Sequence, residues 1–222
     1  LTTGASVNDV IEILVYDVFA IADHVKKSGD AMTGALTNID VNGTELILDA
    51  DGDTSIGATT DDTLILKTNS NTALSIDANG HITKPLQSAF FVKPSADQNN
   101  VSTGTTIVFD TERFDQNGDF ASNTFTAPIT GKYNLNFSVR IDNLDSDATF
   151  NRVILRMSNL DITSQIMDLR GLSGDPLYWN FSASVFVDMD ANDTAYLDFT
   201  QYQGTTQADV KSASHFSGFL AC

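Results

Sequence analysis

The sequence predicts a mainly β chain in three parts: an N-terminal α-helical coiled-coil stem, a short intertwined β-repeat shaft and a C-terminal jelly-roll β-sandwich knob, assembled as a homotrimer. Three observations predict it. Of the 29 acidic residues only Glu12, Glu45 and Glu112 are glutamates, and a preference for Asp over Glu supplies turn formers in place of helix formers. From Thr44 onward, short units led by Thr recur about every nine residues. From Ser88 to Cys222, eight to ten candidate strands are separated by polar turns, the pattern of a sandwich or jelly roll.

The stem is residues 1–27. Val7, Ile11, Leu14, Val18, Ile21 and Val25 fall at alternating steps of four and three, the spacing of a coiled-coil seam. With Ile11, Val18 and Val25 at a positions and Val7, Leu14 and Ile21 at d, the seam is a β-branched mixture. It is less dimer-like than one with Leu at every d position, and it points to a trimer. Val10, Val15 and Phe19 widen the apolar stripe, so an amphipathic helix folded onto its own domain is the alternative.

The shaft is residues 28–87. The helical pattern stops at SGDAMTGALTNIDVNG, where three glycines interrupt it. The units TELILDADGD, TSIGATTDD, TLILKTNSN and TALSIDANG follow, three of the four with Leu or Ile at alternate positions after the Thr. A unit this short offers one apolar ridge. It buries that ridge only by stacking on its neighbours or by meeting the same ridge from other chains.

The knob is residues 88–222, with candidate strands that include SAFFVK, TTIVFD, GKYNLNFSVRID, FNRVILRMSN, YWNFSASVFVDMD, TAYLDFTQY and SHFSGFLAC. Tyr133, Leu135, Phe137, Val139 and Ile141 alternate, so one face of that strand is wholly apolar. Phe109, Phe120, Phe125, Pro128, Gly131, Lys132 and Tyr133, with the terminal FSGFLAC, resemble the globular head of the complement recognition subunit. That head is a trimeric jelly roll shared with the tumour necrosis factor family. The resemblance covers roughly Ser88–Cys222 and implies that the last strand, Phe216–Leu220, ends beside the first. It departs from the family's earlier Asn and Tyr motif, where this chain has Glu112, Arg113 and Phe114. Separately, SGDAMTGAL (Ser28–Leu36) resembles the G-D-x-M-T-G-x-L element of bacteriophage tail fibres, found beside their trimeric shafts.

Charge and composition exclude several function classes. Lys and Arg number 12, giving a formal charge of −17, so a polyphosphate backbone is repelled and no nucleic acid partner is expected. The lone thiol is Cys222, so no disulfide forms within the chain. The most apolar run, Ile11–Ala22, carries Glu12 and Asp17, and no membrane insertion is expected. The chain begins at Leu1 without an initiator Met or a signal-peptide pattern, which reads as processing or as a segment lying upstream.

Catalytic chemistry finds no support in the sequence. His24, His81 and His215 form no H-x-x-x-H or H-E-x-x-H pair, and no G-x-S-x-G, P-loop or G-x-G-x-x-G occurs. The chain is read as no enzyme and as needing no cofactor. Asp49, Asp51 and Asp53 in DADGD offer oxygen ligands on a tight turn, but Gly and Glu miss the spacing of a calcium loop. A solvated repeat turn is the first reading, and a divalent cation on a trimer axis the second. Asp142, Asp145 and Asp147 form a similar cluster, read first as a polar loop. Pairs of carboxylates for glycan hydrolysis mean little among 29 acids, and about sixty residues of shaft leave little room for the long β-helix on which enzymatic tailspikes generally depend.

Strand alternation in a jelly roll sorts the loops between the base, where the shaft enters, and the tip. Asn143–Ala148, Gly171–Leu177 and Gln203–Ser212 fall at the tip; Ile129–Gly131, Ser158–Asp161 and Asp190–Asn192 fall at the base. The tip carries Asn143, Asp145, Asp147, Asp175, Tyr178, Tyr202 and Gln203, a mixture suited to binding sugars or proteins. The expected protein is a virion tail fibre whose knob binds a host-surface glycan or protein receptor and whose N-terminal end meets other virion tail proteins. The alternative is a structural virion fibre, decoration or connector protein that binds other virion proteins. A secreted complement-type module and a polysaccharide-cleaving spike are further rivals.

Overall fold

The computed structural model describes residues 44–222, which form seventeen strands in three antiparallel sheets and no helix. No helix long and apolar enough to cross a membrane occurs among the described residues. The Val7–Val25 seam and the Ser28–Leu36 element lie outside them.

The Thr-led units build the first sheet. Strands β1 (Leu46–Ile47), β2 (Ser55–Thr60), β3 (Thr63–Thr68), β4 (Asn71–Ile76) and β5 (Ile82–Thr83) pair in chain order. Each unit is therefore a strand and its turn. Asn69 and Ser70 hold φ of 49° and 62° between Thr68 and its partner Asn71, the two-residue hairpin turn whose twist matches the flanking strands. Glu45 accepts the Ser55 hydroxyl at 2.9 Å and pairs with Lys67, tying the first unit to the third strand. The apolar ridge is left uncovered: Leu46, Leu48 and Leu64 are 46%, 58% and 42% exposed. Strand pairing thus occurs within one chain, while the ridge awaits a cover.

The remaining strands make a two-layer sandwich. One sheet runs β14 (Tyr178–Met189), β11 (Gly131–Asp142), β17 (His215–Leu220), β6 (Ala89–Lys93), β8 (Thr111–Asp115), with β16 (Asp209–Val210) beside β11. The other runs β13 (Asp161–Met167), β12 (Phe150–Met157), β15 (Thr194–Tyr202), β10 (Thr124–Thr126), β9 (Phe120–Ala121), with β7 (Thr105–Thr106) beside β15. The last strand lies between the first strand of the sandwich and β11, as the resemblance implied.

The alternating residues Tyr133, Leu135, Phe137, Val139 and Ile141 are all buried. They meet Phe90, Phe120, Phe125 and Phe216, whose rings contact one another; Phe90 and Phe125 stack at 4.7 Å between centroids. Each such ring contributes about 1.5–3 kcal/mol by leaving water. Tyr133 keeps its hydroxyl satisfied by donating to the Ile129 carbonyl at 2.8 Å, a corner that fixes where β11 begins. The glycine two residues earlier has a reason too. A Cβ on Gly131 would lie 2.8 Å from the Cys222 carbonyl oxygen and from Leu220 Cδ1, so only glycine lets the final strand close there.

One expected strand is resolved differently. TTIVFD is read as a single strand, but Thr105 and Thr106 pair with β15, the Ile107 N–H donates once more to the Leu197 carbonyl of β15 at 2.9 Å, and the chain then crosses to the opposite sheet as β8. Ile107 and Phe109 stay buried through the crossing. Side-chain amides replace the ladder: Gln98 bonds both backbone groups of Val108, at 2.9 and 3.0 Å, and Asn123 accepts from the Phe109 N–H at 2.9 Å. Paired backbone groups at Val108 and Phe109 lower the cost of leaving a sheet there.

Candidate functional site

The base of the sandwich is where the repeat sheet joins it. The two N–H groups of Gln116 Nε2 are shared among the carbonyls of Lys84, Pro85 and Gln87, at 2.8–3.0 Å, and Asn117 Nδ2 donates to that of Leu86. Gln87 Nε2 donates to the Leu220 carbonyl at 2.5 Å, and the Lys132 N–H to that of Cys222 at 2.7 Å. Loops expected at the base share contacts there: Asp193 accepts from Ser158 Oγ at 2.5 Å and from Asn159 Nδ2 at 2.9 Å, and Thr130 Oγ1 donates to Asp190.

The loops expected at the tip also converge. Asn143 ends β11 in the left-handed region, φ 58°, a conformation its short amide side chain tolerates. The N–H groups of Asn143 and Leu144 donate to Leu177 and Pro176 carbonyls. Ser146 donates both its N–H and its hydroxyl to Asp175 Oδ1, at 2.8 and 2.7 Å, and Gln207 Nε2 donates to Asp175 Oδ2 at 2.8 Å. These bonds, the Ser146 N–H first, hold the Asp175 carboxyl below its ordinary range. Asp209 accepts from Asn143 Nδ2 at 2.8 Å and from the Asn100 N–H at 2.9 Å.

The result is an open groove lined by Asn99, Asn100, Asn143, Asp175, Leu177, Gln207 and Asp209. It offers amide donors and acceptors, two carboxylates and one aliphatic wall, the repertoire that matches a polyhydroxyl ligand or a peptide backbone. Of the residues expected to bind, Asn143 and Asp175 line it. Asp145 does not: it is 5% exposed and accepts the N–H groups of Asp147, at 2.8 Å, and Thr205. Asp145 is a loop-closing residue. Gly204, with φ 77°, is required beside it, since a Cβ there would sit 2.7 Å from Asp145 Oδ2.

Asp147 is exposed at the loop apex. Tyr178, 68% exposed, lies under the Arg140 guanidinium at 5.0 Å in a separate depression with Trp179 and Asn180. Tyr202 stacks on Phe150 at 5.5 Å, and Gln203 accepts from Thr149 Oγ1 at 2.6 Å.

Asn99, Asn100, Gln207 and Asp209 were not among the expected residues. The polar run SADQNN before Val101 was the available signal for the first two.

The candidate cation ligands behave differently from one another. Asp49, Asp51 and Asp53 bring carboxylate oxygens within 4.8 Å of one another, the one such convergence among the described residues. Asp49 is already an acceptor for the Gly52 and Thr54 N–H groups. Asp142, Asp145 and Asp147 do not converge, because the Arg140 fork takes Asp142 at 2.8 and 3.0 Å while Asp145 faces loop amides.

Comparison with known proteins places this architecture. A family model described as the C1q domain matches residues 89–221. Among solved structures, the globular domain of zebrafish complement 1qA is 16% identical, with 61% of this chain and 98% of that chain covered and a TM-score of 0.42. Murine APRIL is 11% identical, with 60% and 98% covered and a TM-score of 0.43. A search of curated protein sequences found no match.

Proposed function

The chain belongs to the C1q domain family, and from that premise we propose that it is a homotrimeric bacteriophage tail fibre protein whose tip groove attaches the virion to a receptor on the host surface. The observation that carries the reading is the tip itself. Loops distant in sequence meet in a polar groove on the side of the sandwich away from the repeat sheet, where a fibre end would meet a cell. The repeat sheet acts as a spacer, and the SGDAMTGAL element supports the fibre assignment. No chemistry on the receptor is part of the reading.

Trimer formation is supported by the outward face of the sheet β14-β11-β17-β6-β8. Phe114, Phe186 and Phe219 are 52%, 61% and 46% exposed there, and between them stand Asn134, Asn136, Ser138, Ser182, Ser184 and Ser217. A face with exposed aromatics and few charges has the composition of an interface core.

Asn143→Gly tests the attachment role. Glycine keeps the left-handed backbone while removing the amide that lines the groove. Adsorption of the purified fibre to host cells is expected to fall about tenfold, the worth of one good polar contact. Unchanged adsorption of this variant and of Gln207→Ala, with an intact circular dichroism spectrum, contradicts the reading.

A further inference from the structure

The outward face of the sheet β13-β12-β15 carries a group of side chains that neither the core nor the tip groove uses. Asn151, Val153 and Leu155 turn inward and are buried, so alternation places Phe150 and Arg152 on the outward face of β12. Tyr202 of β15 stands opposite Phe150, and Thr200 opposite Arg152. On the other side Ile166 of β13 stands opposite Arg152 and is 61% exposed. The Phe150 and Tyr202 rings stack with 10° between planes, and the Arg152 guanidinium lies 5.4 Å from the Phe150 centroid.

Arg152 differs from its neighbours in what it binds. Arg140, Arg156 and Arg170 each hold an aspartate. The Arg152 guanidinium has no hydrogen-bond or ion-pair partner among the described residues, and its Nε is buried without an acceptor. Among the described residues Arg113 also has no carboxylate partner, and no ring lies under it. In a chain with 29 acids and 12 cations, an arginine held over an aromatic ring with no carboxylate beside it keeps its fork open to one from outside. Its fork matches a carboxylate in two parallel bonds.

We infer that this patch binds a sugar ring bearing a carboxylate, with the acid on the Arg152 fork, the apolar face of the ring against Tyr202, and Ile166 at the margin. A single guanidinium suits a single carboxylate. A phosphate or sulfate polymer needs a cluster of cations and would be repelled by the net charge of −17. An aromatic ring with one exposed face selects a ligand that is flat and apolar on one side. The inference uses only the outward face of one sheet and stands apart from the fibre reading, so either can fail alone.

Saturation-transfer NMR on the full chain tests it, with glucuronic acid as the probe and glucose as its neutral counterpart. Transfer to the glucuronic acid ring protons is expected at about tenfold lower concentration than to glucose, the value of a charged hydrogen bond. Arg152→Gln is expected to remove that preference, Arg152→Lys to keep part of it, and Tyr202→Ala to remove transfer to both sugars. Circular dichroism checks that each variant is folded. Equal transfer to the two sugars, or no transfer at about 10 mM, overturns the inference. Retention of the preference in Arg152→Gln overturns it too. Equal competition by inorganic phosphate or by N-acetylglutamate would make the patch a general anion site and overturn the sugar assignment.

Discussion

Tyr133 shows how one polar atom fixes a position in an otherwise apolar core. Its ring is buried against Phe125 and its hydroxyl donates to the Ile129 carbonyl, so burial raises the phenol pKa above its ordinary value. Tyr133→Phe keeps the ring and leaves that carbonyl without its donor. A loss of about 1 kcal/mol is expected, read from the midpoint of chemical denaturation at constant slope; no change would mean that the corner is held by the ring alone. The close contacts of Gly131 and Gly218 belong to the same scale. A Cβ on Gly218 would lie 2.6 Å from Leu135 Cδ2 and 2.8 Å from Phe90 Cε1, which is why the terminal FSGFLAC needs its glycine.

At the scale of elements, the tip loops are held by carboxylates that act as acceptors for loop amides. Asp97 pairs with Lys211 and accepts the Ser212 N–H at 2.8 Å, and these contacts, the lysine first, bring its pKa from 3.8 to about 2. A depressed carboxyl stabilises the folded form fully above its unfolded value, and that contribution is lost as the pH falls through the folded one. The Ser212 amide is therefore expected to stay protected from hydrogen exchange at about pH 5 and to lose protection only between about pH 4 and 2. Loss of protection above pH 5 would contradict this account of the loop.

The elements also show what was legible beforehand. Alternation in Tyr133–Ile141 revealed a buried strand because period two is a direct record of one covered face. Strand alternation likewise sorted the base and tip loops correctly. Alternation could not say which sheet TTIVFD joins, since Ile107 and Phe109 face the same core from either layer. Loop chemistry was less legible still. Asn143 and Asp175 reach the groove with the loops that carry them, but Asn100 and Asp209 meet only because two distant segments run side by side. Asp145 looked like a binding group and is a buried acceptor, a distinction that depends on which N–H groups the fold brings to it. Arg152 carried no signal, because a missing partner is a property of the folded surroundings.

For the whole molecule, uncovered apolar surface is the common theme. The ridge of Leu46, Leu48 and Leu64 and the outward face with Phe114, Phe186 and Phe219 are both exposed in the single chain, and such surface marks an interaction site. Three copies meeting around one axis would cover both. They would also triple a charge of −17, so assembly is expected to loosen at low ionic strength, where screening is weakest. The solution mass of the chain by light scattering at physiological salt tests the trimer most directly. The account predicts three times 23.9 kDa, whereas a stable species of 23.9 kDa would leave both surfaces uncovered and contradict it.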